Sequence, residues 1–144
     1  MLTTMTTDVG VSPERARPST RQALVPLAGR VGLAAIFLLS GLSKLAAPEA
    51  TIGYIASVGL PLPKVGLALA ILIELGGGIL LVLGYRARIV AAVLALFSVA
   101  TAVFFHSALG DQNQFIHFFK NVAMAGGLLQ VAAFGAGRFS IGRD

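Results

Sequence analysis

IVAAVLALFSVATAVFF, residues Ile89–Phe105, decides the fold of this chain. The stretch carries no charge on any face, whereas a helix of a soluble protein keeps a polar stripe toward water. An α-helix rises about 1.5 Å per residue, so about 20 residues cross the hydrocarbon core of a bilayer. The stretch is therefore predicted to be a membrane-spanning helix.

Three other apolar stretches have nearly the same length, and the four together are Leu24–Ala46, Val65–Gly84, Ile89–Phe105 and Phe115–Gly135. Composition agrees with a membrane protein, because 12% of the 144 residues are charged and the mean hydropathy is +0.87. A soluble domain carries about twice that charged fraction. The predicted fold class is all-α, a polytopic membrane four-helix bundle.

The longest link, Ala47–Pro63, is predicted to hold a short interfacial helix between helices one and two. Pro48 and Glu49 are typical of a helix start, with proline at the first position and an acid in the first turn. We divide the chain into a disordered cytoplasmic tail (1–22), a four-helix transmembrane domain (23–136) and a cytoplasmic C-terminal tail (137–144).

Basic residues predict the orientation in the membrane. With an even number of crossings, the N-terminal tail, the turn between helices two and three, and the C-terminal tail all lie on the same side of the membrane. These three segments contain seven arginines: Arg15, Arg17, Arg21, Arg86, Arg88, Arg138 and Arg143. Because cytoplasmic loops are enriched in Lys and Arg, this side is the cytoplasm. The predicted location is the bacterial inner (plasma) membrane, multi-pass, with both termini cytoplasmic.

Composition also excludes several functions. The chain has no cysteine, so disulfides, thiolate catalysis and cysteine-ligated metal centres are not part of its own chemistry. The net charge of +5 is explained by the basic residues beside the membrane spans, and no nucleic-acid motif accompanies it. Nucleic acid is therefore not an expected partner.

Glu74 is the sharpest single feature, because it lies near the middle of an apolar span where charge is costly. It should point into the bundle toward a cation. The candidates are Arg30, Lys44 and Lys120, of which Lys120 is favoured by its depth, whereas Lys44 is read mainly as an interfacial anchor. A structural ion pair and a proton- or ligand-handling acid both remain open for Glu74.

The fourth helix carries a polar stripe that must turn away from lipid. The stripe consists of His117, Lys120 and Asn121. Together with residues of the first two helices it forms a predicted buried polar core or ligand-binding site: Arg30, Lys44, Glu74, His117, Lys120 and Asn121. Small residues are predicted to allow close helix packing at Gly41, Gly77, Gly78, Gly126 and Gly127. No catalytic residue can be assigned.

Two other motifs are read conservatively. His106 and His117 flank a loop, but two histidines without further ligands at suitable spacing favour hydrogen bonding at the helix ends over a metal site. The run Gly135–Ser140, GAGRFS, follows a membrane helix rather than a strand, so it is a helix terminus and not a dinucleotide site.

Several of these pieces, taken in order, resemble the DoxX family of small integral membrane proteins. The matching pieces are RVGLAAIFLLSGLSK at 30–44, GLPLP at 59–63, ELGGG at 74–78, GYRAR at 84–88, Lys120-Asn121 with Gly126-Gly127, and GRFS at 137–140. The resemblance implies a four-helix membrane fold. It also implies an association with redox complexes, because the family takes its name from a subunit of an archaeal thiosulfate:quinone oxidoreductase.

On this resemblance the first hypothesis is a redox-associated membrane subunit. It would anchor a redox-protein partner or hold a quinone-like lipophilic molecule at the polar core, with no intrinsic cofactor and quinone as the candidate ligand. The alternatives are a proton-coupled small-molecule transporter and a non-catalytic membrane scaffold, and whether the protein is an enzyme stays open. The expected partners are the lipid bilayer and either a redox protein or further copies of the chain.

Overall fold

The computed structural model describes residues 20–142, which form five helices. In chain order they are α1 Thr20–Ala46, α2 Pro48–Ser57, α3 Pro63–Leu83, α4 Ala87–Phe105 and α5 Gln112–Phe134. The tail predicted for residues 1–22 lies outside the described residues except for its last three, which begin α1. The all-α class and the short helix between the first two long helices are confirmed.

Three of the long helices, α1, α3 and α4, are long and apolar enough to cross a membrane. The fourth, α5, has 23 residues and therefore sufficient length. Its first half contains the polar stripe predicted above, which keeps its hydropathy below that of the other three. A crossing by α5 stays a prediction.

The short helix α2 begins and ends as its sequence predicts. Pro48 occupies the first helical turn together with Glu49, where a missing N–H costs nothing and an acid is favoured. The chain leaves α2 through Gly59, whose φ of +77° suits glycine. It then enters α3 at Pro63.

The long helices pack antiparallel, α1 against α3 and α4 against α5. The core between them is formed by small and aliphatic side chains with one phenylalanine: Ala34, Phe37, Leu81, Ala91, Leu94, Ala95, Ala125 and Leu128. Large apolar side chains also cover the outside, and Leu39, Leu72 and Leu96 are each more than 60% exposed. An apolar exterior of this kind suits lipid rather than water.

Four of the five glycines predicted to allow close helix packing lie tight against a neighbouring helix. A Cβ built on each would press on a neighbouring side chain at 2.7–3.2 Å: Gly41 on Leu75, Gly77 on Leu94, Gly78 on Leu38, and Gly127 on Leu33. The prediction for Gly126 is wrong. It is exposed, and a Cβ there would meet no atom within 4 Å, because the residue lies on the outer face of α5.

Within α3, the segment Leu72–Gly76 forms a π-helical turn with Glu74 at its centre. Such turns are rare in α-helices and are frequently found at functional sites. From Ile73 to Gly78 no residue is exposed, so α3 is at most partly accessible at this level.

The bundle has two chemically different ends. The α2 end holds the last turns of α1 and α4 and the first turns of α3 and α5. The Arg30 end holds the last turns of α3 and α5 and the closing segment 135–142. That segment packs back on the bundle, since Ile141 N–H donates to the carbonyl oxygen of Leu83 at 3.0 Å.

Candidate functional site

A cavity of about 610 Å³ opens at the α2 end and is lined by all five helices. Its walls are mainly apolar, with Phe37, Leu69 and Phe97 among them, and α2 covers one side with Tyr54 and Ile55. The volume falls within the range of about 300–1,000 Å³ that small-molecule sites occupy in proteins. Polar side chains come from all five helices, and the three that carry a fixed charge lie on α1, α3 and α5.

A buried ion pair forms the polar centre of the cavity. Lys44 Nζ lies 2.9 Å from each carboxylate oxygen of Glu74. Ser40, one turn before Lys44 on α1, accepts from Lys44 Nζ at 2.7 Å and donates its hydroxyl to Glu74 Oε1 at 3.1 Å. The three side chains therefore form a closed hydrogen-bonded triangle that neutralises both charges.

The two partners differ in burial. The Glu74 side chain is 6% exposed, whereas that of Lys44 is 22% exposed. Glu74 Oε2 receives no hydrogen bond of good geometry from the described residues, although Lys44 Nζ lies close to it. The pair thus presents a partly accessible ammonium group at the cavity, whereas its carboxylate is buried.

This pairing corrects the sequence-based interpretation. Glu74 was predicted to pair with Lys120 and Lys44 to act as an interfacial anchor, but Lys44 is the partner. Lys120 lines the same cavity but is exposed rather than buried as predicted, and it lies 2.9 Å from Nδ1 of His117. Similar depth in the membrane, on which the prediction of Lys120 was based, did not identify the partner. The partner is set by the rotation of α1 and α3 about their axes, which brings Lys44 and Glu74 face to face.

The polar stripe of α5 lies at the same end of the bundle. Asn121 is buried, lines the cavity and donates its amide to the carbonyl oxygen of His117 at 2.9 Å. The ring of His117 stacks on that of His106 with centroids 5.1 Å apart. His106 Nδ1 in turn lies 2.8 Å from Gln114 Oε1, so both histidines make hydrogen bonds at the helix ends, as predicted.

Arg30 does not belong to this site. Its side chain is 1% exposed at the opposite end of α1, where the guanidinium donates to the carbonyl oxygens of Leu81, Val82 and Phe139. The prediction of one shared polar core is therefore wrong for Arg30. Arg30 binds the last turn of α3 to the closing segment instead of facing the cavity.

The structure thus brings together four predicted residues around one cavity: Lys44, Glu74, Lys120 and Asn121. His117 does not line the cavity, and it contacts Lys120 and Asn121. Sequence reasoning missed Ser40 and Tyr54. The signal for Ser40 was present, because it precedes Lys44 by four residues and so shares its helix face. Tyr54, whose hydroxyl donates to the carbonyl oxygen of Phe105 at 2.9 Å, left no comparable signal.

Fold and site together define a multi-pass α-helical membrane protein with an ion pair facing an apolar cavity. The chain matches the DoxX family over residues 25–107, more than half of its length. It therefore belongs to the DoxX family, which confirms the resemblance.

Two relatives from Escherichia coli strain K12 extend this result. The inner membrane protein YphA is 34% identical over 122 residues, covering 81% of this chain and 87% of the relative. The inner membrane protein YqjF is 33% identical over 117 residues, covering 81% and 88% respectively. No solved structure matches the chain. The protein is accordingly a multi-pass protein of the inner membrane.

Proposed function

We propose that the cavity at the α2 end binds a small lipophilic molecule with oxygen acceptors, of the quinone type, and that the protein serves as a redox-associated membrane subunit. The observation that carries this proposal is the Lys44–Glu74 ion pair set in mainly apolar walls around about 610 Å³ of space. Small-molecule sites commonly combine an apolar cavity with a few convergent polar groups.

The donors around the cavity suit a ring that carries two carbonyl groups. The partly exposed Lys44 ammonium has three N–H donors, two of which its hydrogen-bonded triangle already uses. The Asn121 amide has a second N–H beyond the one given to His117. Lys120 adds a third donor on the α5 wall. Carbonyl oxygens of a lipophilic ring would accept from these groups while the ring packs on the apolar wall.

Electron transfer at such a site would depend on a partner redox protein, because the chain has no cysteine to hold a redox centre. The competing transporter hypothesis requires Glu74 to take up and release protons. Its carboxylate is instead held in an ion pair with Lys44, which a proton carrier would have to break. The scaffold hypothesis makes no use of the cavity, so ligand binding distinguishes it.

The binding experiment uses the purified protein in detergent or nanodiscs and a radiolabelled quinone. We expect saturable binding that weakens about tenfold in Lys44→Met and in Asn121→Leu, since each loses a donor to the ligand. Lys64→Met is the matched control, because Lys64 is exposed and lies outside the cavity. No saturable binding, or equal binding in all variants, would favour the scaffold.

The proposed orientation places both termini and the turn Gly84–Arg88 in the cytoplasm, with α5 as the fourth crossing. Gly110 lies in the exposed loop at the α2 end, and Arg88 is exposed at the Arg30 end. In intact cells a membrane-impermeant thiol reagent should label Gly110→Cys and spare Arg88→Cys. Both should react after permeabilisation. Labelling of Arg88→Cys from outside would reverse the orientation.

A further inference from the structure

We infer that the cavity selects its ligand as an anion, an acidic quinone-type amphiphile with an ionised ring hydroxyl, and that Lys120 provides the counter-charge. This inference rests on the proposed function, because it names the chemical class of ligand for the same cavity. It starts from a count of the charges that line the cavity.

Three side chains with a fixed charge line the cavity: Lys44, Glu74 and Lys120. Lys44 and Glu74 cancel each other at 2.9 Å. Lys120 makes no ion pair within residues 20–142, and its hydrogen-bond partner, His117, is neutral when Nδ1 accepts from the ammonium. The cavity therefore carries one uncompensated positive charge from the described residues.

The remaining acids of the described chain do not supply the missing charge. Asp111 accepts from the backbone N–H of Gln114 at 2.9 Å and caps the start of α5. Glu49 lies in the first turn of α2. Neither of them lines the cavity.

The contact with His117 gives Lys120 a defined place. One N–H of its ammonium is directed at the imidazole, which leaves two donors for a ligand. A hydrogen bond between an ammonium and an oxyanion is about twice as strong as one between neutral groups. Lys120 is exposed at the edge of the cavity, so its ammonium is accessible to an anionic ligand without the loss of an ion pair.

The experiment uses two probes with the same ring system. They are 1,4-naphthoquinone, which is neutral, and 2-hydroxy-1,4-naphthoquinone, whose hydroxyl is ionised at neutral pH. We expect the anionic probe to bind the wild-type protein about tenfold more tightly than the neutral probe. In Lys120→Gln the two dissociation constants should become nearly equal, whereas Lys120→Arg should keep the preference.

Lys64→Gln is the matched control, since it removes a positive charge outside the cavity and should leave the preference unchanged. Equal binding of both probes by the wild-type protein overturns the inference and leaves the proposed function standing. A preference that persists in Lys120→Gln overturns the role of Lys120. Failure of both probes to bind overturns the inference together with the proposed function.

Discussion

Two cations on α1, Arg30 and Lys44, lie at opposite ends of the bundle and solve the same electrostatic problem differently. Arg30 is almost fully buried, and the acceptors that surround it are backbone carbonyl oxygens. Lys44 is partly exposed, and its acceptors are the Glu74 carboxylate and the Ser40 hydroxyl at the edge of a cavity.

Under the proposed function, Arg30 has a structural role and Lys44 a ligand-binding one. Backbone carbonyl oxygens carry partial negative charge and do not titrate, so the hydrogen bonds of Arg30 do not depend on the protonation state of an acceptor. The side chains around Lys44 can rearrange when a ligand enters. By burial alone, Arg30 would be the stronger candidate for a ligand-binding residue. Lys44 is proposed instead, because it lies beside the cavity and its partners are side chains that can change position.

The largest effect is expected when the Arg30 end is broken. Arg30→Met leaves three carbonyl oxygens without their charged donor and should lower the free energy of unfolding by about 4 kcal/mol. Arg30→Lys should recover only part of this loss, because one ammonium cannot reproduce the spread of the guanidinium. Thermal unfolding in detergent measures both.

Lys64→Met serves as control for the Arg30 variants, because it removes an exposed cation and should change stability little. The ligand affinity of Arg30→Met, measured below its unfolding temperature, should match that of the wild type. A loss of affinity without loss of stability would contradict the structural role of Arg30.

A smaller loss of stability is expected when the ion pair is broken. Glu74→Gln leaves the Lys44 ammonium without its counter-charge and should cost about 3 kcal/mol, the lower part of the range for buried pairs, because Lys44 is partly exposed. Adding Lys44→Met should recover part of the loss. Adding Lys120→Met instead should recover none, and recovery there would restore the pairing first predicted.

The packing of α3 against α1 is tested by a substitution at Gly78. Gly78→Ala places a methyl group 2.8 Å from a terminal methyl of Leu38 and should cost about 1–2 kcal/mol, since that side chain can partly move away. Gly126→Ala is the matched control on α5, where the added methyl group meets open space. It should be neutral or slightly stabilising, and chemical unfolding of both variants compares them.

The smallest effect is expected at the cover of the cavity. Tyr54→Phe removes the hydrogen bond from α2 to the end of α4 and should lower stability by about 0.5 kcal/mol, because the bond is exposed. Ser57→Ala, which loses only a bond within the α2 region, should behave alike in unfolding. Faster ligand release in Tyr54→Phe alone would show that α2 controls access.

The helices were predictable because they follow from local features of the sequence, although each long helix begins two to four residues earlier than predicted. Apolar length predicted the long helices, and Pro48 predicted the start of α2. The partner of Glu74 was not predictable in the same way, since it depends on how far two packed helices are rotated about their axes. A single sequence shows which residues share a face of each helix, but it does not show how far two packed helices are rotated relative to each other.

The contacts of Arg30 were hidden for another reason. Its acceptors are backbone atoms, which every residue possesses, so no pattern of side chains announces them. Only the neighbouring Gly84 hints at crowding, because a Cβ there would collide with the Arg30 guanidinium. Similarly, nothing in Leu72–Gly76 distinguishes a π-helical turn from an ordinary one before the packing is known.

That turn changes the phase of α3. A π turn closes its hydrogen bonds one residue later than an α-helix, and one residue corresponds to about 100° of rotation. The segments before and after Glu74 are therefore out of phase with each other, like two ordinary helices joined with one extra residue. Deleting one residue of the turn other than Glu74 would remove the extra residue and let an ordinary α-helix run through, so that the face of Ala70 and the face of Gly78 would both keep their present neighbours.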